Sequence, residues 1–284
     1  MKKSSFLIVY LMVCFEVSAN PLGKGELHIT ADHQIVCDQK ENMCLAEGKA
    51  FAQKGALTVR GDILKVFFES PSGPSDGITT QRKPIRLEVR GHAHITHEGY
   101  MSHSTDAVYD LVTGLITLSG SPRMQTKSMT LSTQGPLQIF EKEGRGVAHN
   151  AVFHEKEKNY RMRSNKLIVY FDESSKNIHR IRTAEGVGDV LITSPTRTIK
   201  AAKALYDVNS NTVTLRKNVV AVQGKNIMKG DYAIADLTKE EVRILAEDPT
   251  NQRSQANLRK IPHRVKAIFV LKDLQSSLAT AKAK

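Results

Sequence analysis

The sequence has no tryptophan, and aromatic residues make up only 6% of its 284 residues. Helical hydrophobic periodicity is almost absent, which excludes a mainly helical protein. A Gly-x-Ser-x-Gly elbow, a His-Glu-x-x-His motif, a phosphate loop and a nucleotide fingerprint are all missing, so nothing indicates the enzyme classes that depend on them. A secreted polysaccharide-acting β-enzyme stays open, with His97, Tyr100 or His103 as its candidate catalytic residue, because such a base leaves no local motif.

Long apolar runs are also scarce, and the one at the N-terminus predicts a signal peptide. The run extends over ten residues from Phe6 to Phe15, with two lysines before it and small residues up to Ala19 after it. This order is typical of a secretory signal peptide, here residues 1–19. Ten apolar residues are too few to span a bilayer comfortably. An uncleaved membrane anchor is the alternative.

Acidic residues are outnumbered by basic ones. The sequence has 41 Lys and Arg against 29 Asp and Glu, a formal net charge of +12. This excess favours an acidic partner such as a phosphorylated lipid, an acidic glycan or a nucleic acid. We expect no nucleic acid, because the basic residues are spread over predicted strands and are not interleaved with aromatic residues that could stack on bases.

Only two cysteines follow the predicted signal peptide, Cys37 and Cys44 in "VCDQKENMC". The residues between them are polar or turn-prone, which indicates a hairpin loop. In an oxidising compartment such a pair usually forms a disulfide. A zinc site would need two further ligands, and none is placed nearby. We therefore predict a structural disulfide.

The rest of the sequence reads as successive strands. The candidate segments are β-branched or aromatic and often alternate apolar with polar residues. They are bounded by turn clusters such as "ESPSGPSDG" and "DVNSN". The clearest segments are 56–68, 85–97, 165–172, 212–222 and 265–274. This pattern predicts an all-β fold.

A five-residue unit recurs along these strands. It consists of a small or apolar residue, any residue, Gly, any residue, and then Ala, Val or Pro. Its central positions are Gly48, Gly91, Gly120, Gly146, Gly188 and, with lysine in place of glycine, Lys217. A recurrent glycine within a strand indicates a bend, so we expect long strands that curve in register.

The segment "IKAAKALYDVNSNTVTLRKNVVAVQGKNIMKGDYAIADLTKEEVRI" resembles the LptA/OstA family of periplasmic lipopolysaccharide-transport proteins. The family pattern is an Ala-rich strand, Tyr-Asp, a short turn, Leu-x-Gly-Asn-Val, and later Gly-Asp before an apolar strand. Here these elements are Tyr206-Asp207, Leu215, Asn218-Val219 and Gly230-Asp231. Residues 29–62 look like another copy, and the resemblance covers roughly residues 26 to 246.

The resemblance implies an OstA-like open β-jelly roll of stacked antiparallel strands in the periplasm. We expect two tandem units, 26–140 and 141–246, followed by a C-terminal extension, 247–284. The implied function is a non-enzymatic carrier or bridge that shields the lipid A acyl chains of lipopolysaccharide, without a cofactor, during transport to the outer membrane. The implied partners are lipopolysaccharide and the LptC-like inner-membrane and LptD-like outer-membrane components. A membrane-anchored LptC-like feeder is the alternative.

Strand alternation divides the residues into two faces. Basic residues such as Arg60, Arg86, Arg90, Lys166 and Arg216 point outward. The predicted lipid-binding interior face comprises Leu57, Val59, Leu87, Val89, Ala93, Leu167, Val169, Leu215, Val219 and Ala221. An ordinary packed core is the alternative, but the small inward alanines favour a slot. Lys and Arg at its rim would attract the lipid A phosphates.

The same alternation places His92 and His94 outward on one strand. Two such histidines could hold a metal with a third ligand, but solvated surface histidines are the commoner outcome, and we predict no metal site.

Segments near the two ends of the mature chain are candidate partner-binding edges. Leu27, Ile29 and Ala31 alternate with polar residues in the first, and the second contains Ile268 and Val270. Such edges could join copies head to tail by β-augmentation. The alternative is that 265–274 folds back as a cap, because its lysines suit an edge that resists pairing.

Overall fold

The computed structural model describes most of the chain from residue 26 onward. The described residues are 26–70, 83–97, 99–157, 159–172, 181–239, 241–246 and 264–268. The predicted signal peptide, Val270 and most of the C-terminal extension lie outside them.

Strands account for most of the described residues, as the alternation predicts. These are β1 (His28–Thr30), β2 (Gln34–Asp38), β3 (Met43–Lys54), β4 (Leu57–Phe68), β5 (Pro84–His97), β6 (Tyr100–Asp110), β7 (Leu115–Ser119), β8 (Arg123–Gln125), β9 (Met129–Thr133), β10 (Leu137–Phe140), β11 (Arg145–Glu155), β12 (Tyr160–Phe171), β13 (Ile181–Thr193), β14 (Thr198–Asp207), β15 (Thr212–Gln223), β16 (Asn226–Asp236), β17 (Glu241–Leu245) and β18 (Lys266–Ile268). One 3₁₀ turn, Glu141–Glu143, precedes β11. The strand pairings are antiparallel throughout.

Each long strand contributes to two layers. In β3, residues 43–47 pair with β2, whereas residues 51–53 pair with β1. The same division recurs in β6 with β7 and β8, in β11 with β10 and β9, and in β16 with β17 and β18. We call the layer that contains β2, β7, β10 and β17 layer A. The layer that contains β1, β8, β9 and β18 is layer B.

The strands pass from one layer to the other at bends where the pairing register shifts. At five of the bends two successive residues have positive φ, a conformation that glycine adopts most readily. These pairs are Gly48–Lys49, Gly91–His92, Gly120–Ser121, Gly188–Asp189 and Lys217–Asn218. The ladder is interrupted around them, for example between Glu47 and Ala50. The recurrent glycine is therefore a bend residue at these positions.

The assignment of Gly146 as a bend residue was wrong. Gly146 does not have a positive φ, and it pairs regularly with Ile139 and Val169. The positive φ of this strand falls on Asn150 instead. A Cβ on Gly146 would lie 3.0 Å from the Val169 side chain, so close packing explains this glycine. When Asn150 is taken as the bend residue of β11, the second residues of successive bends lie 43, 29, 29, 39 and 29 positions apart in the sequence.

The inward side chains of both layers form one apolar core. The rings of Phe153 in layer B and Tyr206 in layer A, for example, are 6.0 Å apart between centroids. The core is continuous from Ala46 near one end to Ala235 near the other. The predicted all-β, open antiparallel jelly roll is thereby confirmed. The division into two units at residue 140 stays a prediction, since β10 and β11 pair across it.

Candidate functional site

The two layers are joined along the row of bends, and on the opposite side the turns of both layers face each other. We call this opposite side the mouth. Its turns end the strands of layer A at residues such as 110–115 and 207–212, and those of layer B at residues such as 54–57 and 193–198. Three cavities open along the mouth, one toward each end of the molecule and one in the centre.

The opening nearest the N-terminal end is a narrow apolar gap, and its volume of about 270 Å³ includes space open to solvent. Leu27, Leu57 and Val59 line it from layer B, and Leu87 and Leu111 line it from layer A. Three predicted interior residues therefore lie together at this opening, next to a residue that was predicted as part of a partner-binding edge.

The opening nearest the C-terminal end is also a narrow gap, and its volume of about 350 Å³ includes space open to solvent. It is lined by Ile192 and Ile199 from layer B and by Val213, Ala235 and Val242 from layer A. Both end openings therefore lead between the layers into apolar surroundings.

The central opening is larger and more polar, with a volume of about 990 Å³ including space open to solvent. Glu155, on its layer B side, is only 6% exposed. On the layer A side, the Tyr206 hydroxyl donates a hydrogen bond of 3.1 Å to Asn211 Oδ1, and Asn211 Nδ2 donates to Thr238 Oγ1 at 2.8 Å. Burial, and then the charge of Glu155, raise the pKa of Tyr206 to about 12, so its phenol stays neutral.

A second tyrosine is tied to the 3₁₀ turn. The Tyr109 hydroxyl donates a hydrogen bond of 2.5 Å to Glu141 Oε2. Burial raises the pKa of Tyr109 well above its ordinary range, and the hydrogen bond to Glu141 adds to this effect. Tyr109 and Tyr206 both directly precede the aspartate of a mouth turn. The repeated Tyr-Asp pair was thus the sequence signal for these mouth tyrosines, which sequence reasoning missed.

The aspartates of these turns stabilise them through backbone hydrogen bonds. Asp110 Oδ1 accepts from the amides of Val112 and Thr113, at 2.9 and 2.8 Å. Asp236 Oδ1 likewise accepts from the two amides that follow Leu237. These bonds favour the charged form and lower the pKa of both aspartates. The residues are turn caps rather than site residues.

Nine of the ten predicted interior residues are buried, and the tenth, Leu57, packs against the core partly buried. The nine are Val59, Leu87, Val89, Ala93, Leu167, Val169, Leu215, Val219 and Ala221. The small inward alanines Ala50, Ala52 and Ala201 are buried among them. The basic residues predicted to point outward, such as Arg60 and Arg86, are exposed. In this structure the apolar side chains of the two layers contact one another.

The edge strands lie at the two ends of the layers. Ile29 in β1 pairs with Ala52, and Leu27, Ile29 and Ala31 pack partly buried against the core. At the other end Ile268 in β18 pairs with Ile227 and is 57% exposed. Sequence reasoning missed two further edges, β2 and β17, which end layer A. Each forms a hairpin with the long strand next to it in the sequence, β3 for β2 and β16 for β17.

Cys37 and Cys44 face each other across the β2–β3 hairpin and are joined by a disulfide. All five residues of β2 are exposed. The disulfide therefore ties an otherwise weakly held edge strand to β3.

The histidines and tyrosine that were candidate catalytic residues do not converge. His103 contacts His94 on the outer face of layer B, with ring centroids 3.8 Å apart. Tyr100 is 3% exposed, and its hydroxyl has no hydrogen-bond partner among the described residues. Its ring meets His97 edge-on, at 5.9 Å. Burial, and then the charge of Glu141, raise the pKa of Tyr100, so it is no base near neutral pH.

The outward His92 does not sit in a metal-binding cluster. Its Nδ1 atom lies 2.8 Å from Asp62 Oδ2. Groups of three or more His, Cys, Asp or Glu residues that could hold a metal are absent from the part of the chain that the structure describes. None of the helical turns in that part is long and apolar enough to cross a membrane.

Comparison with solved structures gives a match to LptH from Pseudomonas aeruginosa, described as the LptA homologous periplasmic component of the conserved lipopolysaccharide transport device. The match has 12% sequence identity and a TM-score of 0.41, and it covers 50% of this chain and 95% of LptH. The comparison with curated proteins gives no match.

Comparison with protein families gives a match over most of the chain. The family described as "LptA/(LptD N-terminal domain) LPS transport protein" matches residues 28–144 and 156–241. These residues include every strand from β1 to β16 except β11. The chain therefore belongs to the LptA/LptD N-terminal domain family of lipopolysaccharide transport proteins.

Proposed function

We propose that this protein is a periplasmic, non-enzymatic carrier that shields the lipid A acyl chains of lipopolysaccharide between its two layers. The observation that carries the proposal is the continuous apolar interior, which opens to the outside along the mouth. Acyl chains entering there would replace contacts between the layers with contacts to lipid. The proposed cargo is delivered toward the outer membrane.

The energetics of such binding are mainly hydrophobic. Each buried methylene contributes about 0.8 kcal/mol, so a few acyl chains outweigh any single polar contact. Most inward residues are small or branched aliphatic side chains, which carry no polar atoms and can repack around a flexible chain. Directional flow needs energy from a partner.

Polar groups at the mouth suit the head of the same molecule. Asn211 and Thr238 at the central opening offer amide and hydroxyl groups of the kind that bind sugars. Lys156, whose Nζ donates to the Thr126 carbonyl at 2.9 Å, and Arg197, whose Nε donates to Gln223 at 3.1 Å, place positive charge beside the mouth. These charges would attract the phosphates of lipid A.

Photo-crosslinking tests this proposal directly. A photo-crosslinking amino acid at Leu87, Leu167 or Leu215 should capture lipopolysaccharide. At the adjacent outward residues Arg86, Lys166 and Arg216 it should capture little, and these serve as matched controls. Circular dichroism verifies that each variant is folded. Equal capture from both faces would rule out the interior as the binding site.

The N-terminus decides between a free carrier and an anchored feeder. If residues 1–19 are a cleaved signal peptide, N-terminal sequencing of the protein isolated from the periplasm should begin at Asn20. A mature chain that still starts at the first residues, recovered from the inner membrane, would instead identify an LptC-like anchored component.

A further inference from the structure

One residue from each strand of layer B except β1 forms a continuous row across its outer face. Each member pairs with the next in the strand register. In order, the row is Phe51, Arg60, His94, His103, Arg123, Ser132, Val152, Arg163, Leu191, Lys200, Val220, Lys229 and Lys266. Eight of these residues are Arg, Lys or His, and none is acidic. We call these eight residues the basic row.

The next outward row of layer B, closer to the mouth, has the same sign of charge. It contains His154 and Arg161, which pair with each other, and no acidic residue. The outer face of layer A is different, because it carries charges of both signs that pair locally. Arg86 lies 2.7 Å from Glu88 there, for example. Neither of these two rows of layer B therefore contains an acidic residue that could neutralise its positive charge.

Cations and apolar residues alternate in the second half of the row. Arg163, Lys200 and Lys229 are exposed and are separated by the half-buried Leu191 and Val220. None of the three cations makes an ion pair with another described residue. Since adjacent strands are about 4.8 Å apart, these cations are spaced at roughly 10 Å.

The first half of the row holds a denser cluster. His94 and His103 contact each other between Arg60 on one side and Arg123 on the other. Burial, and then the charges of His103, Arg60 and His92, lower the pKa of His94. Two flanking guanidinium groups would repel a metal cation at this histidine pair. An anion would be attracted, and it would favour protonation of His94.

We propose that the outer face of layer B binds a linear acidic glycan that lies along the basic row. The row extends over roughly 60 Å from Phe51 to Lys266, since it crosses thirteen strands. Neighbouring strands rotate by about 20° from one to the next, so a row of this length follows a twisted path. A flexible chain can follow that path, whereas a flat bilayer would touch only a few strands.

The side chains also distinguish a glycan from a nucleic acid. Single-stranded nucleic acids bind through aromatic side chains that stack on bases. The row contains one aromatic residue, Phe51, and the Arg60 guanidinium lies over its ring at 5.1 Å. A carboxylated polysaccharide needs only cations and small apolar contacts, which is what the row provides.

Binding of the full protein to polygalacturonate, a linear carboxylated polysaccharide, tests the proposal, with neutral dextran as the control polymer. The triple variant Arg163→Gln, Lys200→Gln, Lys229→Gln should weaken binding by about tenfold or more. The matched control variant Arg90→Gln, Lys166→Gln, Lys203→Gln removes the same charge from the outer face of layer A and should bind within about twofold of the unmodified protein. Equal weakening by both triple variants would overturn the proposal, because net charge alone would then explain binding.

The histidine pair supplies a second readout on the same face. Affinity for polygalacturonate should rise as the pH falls from about 7.5 to 5.5, and the variant His94→Gln, His103→Gln should lose most of this rise. Tighter binding to phosphatidylglycerol vesicles or to oligothymidylate than to polygalacturonate would overturn the assignment of the partner as a glycan. Absence of any binding to polygalacturonate would overturn it as well.

Discussion

Gly91 shows what a bend demands of a single residue. Its φ is +71°, and a Cβ there would lie 2.1 Å from Asp62 Oδ2, the atom that pairs with His92. Gly91→Ala should therefore lower the free energy of unfolding by at least about 2 kcal/mol, from left-handed strain together with the broken contact. Urea denaturation measures the change. Gly55→Ala is the matched control, because Gly55 also has positive φ but no atom lies within 4 Å of its added Cβ. An equal loss in both variants would show that the Asp62 contact is irrelevant.

Lys217 occupies the equivalent bend position without being a glycine. Its φ of +64° strains a residue that carries a Cβ. Lys217→Gly should relieve about 1–2 kcal/mol of this strain, while the added freedom of glycine in the unfolded chain offsets about half of it. We expect a net gain in the free energy of unfolding of about 0.5–1 kcal/mol, measured by the same denaturation. A loss of stability would mean that the lysine side chain makes a contact worth more than the strain.

His94 makes the stability depend on pH. Its pKa in the folded protein lies below the ordinary value of 6.5, so the unfolded chain binds the proton first as the pH falls. The contribution of His94 to the free energy of unfolding is therefore present above pH 6.5 and is lost as the pH falls below it. Thermal denaturation between about pH 7 and pH 5 should therefore show a smaller loss of stability for His94→Gln than for the unmodified protein. His28→Gln, on the edge strand β1, is the control and should keep the full acid sensitivity.

Strand β2 depends on its disulfide more than the rest of the fold does. Its residues are all exposed, so pairing with β3 and the Cys37–Cys44 bond hold it in place. The bond closes a small ring, and its removal should cost at most a few kcal/mol. In the variant Cys37→Ser, Cys44→Ser, hydrogen exchange should accelerate in β2 but not in β4. Acceleration in both strands would mean that the bond stabilises the layers as a whole.

The disulfide can also be checked by thiol labelling. Labelling of the denatured but unreduced mature protein should modify neither Cys37 nor Cys44. Full labelling of both would mean that they are free thiols in the isolated protein.

The long strands could be predicted from sequence because their alternation is a local property. The same is true of the bends that contain a recurrent glycine, since a glycine within an alternating strand usually marks a bulge or a bend. Gly146 was misassigned because the bend nearby uses Asn150, a residue that also tolerates positive φ. The short strands β7 to β10 depend on pairings between residues distant in sequence. The orientation of Tyr206 toward Glu155 likewise depends on packing between residues distant in sequence. Neither appears in any local pattern.

The described part of the molecule ends in strands that have one partner each. Among the described residues, β1 and β2 pair only with β3, and β17 and β18 pair only with β16. Unpaired edges at both ends suit head-to-tail joining to another copy or to LptC-like and LptD-like partners. A proline removes a backbone donor, so Ile29→Pro and Ile268→Pro should each abolish such assembly while circular dichroism stays unchanged. Size-exclusion chromatography over a range of concentrations measures assembly.

The outcome for the C-terminal strand separates an edge from a cap. If Ile268→Pro unfolds the monomer while the folded remainder still assembles, β18 stabilises its own chain and does not join a neighbour. Ile29→Pro would then be the remaining test of assembly through β1.

The row of bends can act as a hinge line along which the two layers move apart. Backbone hydrogen bonds run from strand to strand within each layer, parallel to the hinge line. Moving the layers apart would therefore change torsion angles at the bends and leave these ladders of hydrogen bonds intact. The work of opening is then the separation of apolar side chains. An acyl chain that entered between the layers would restore the lost apolar contacts. The layers could then close around it without any backbone hydrogen bond between strands having been broken.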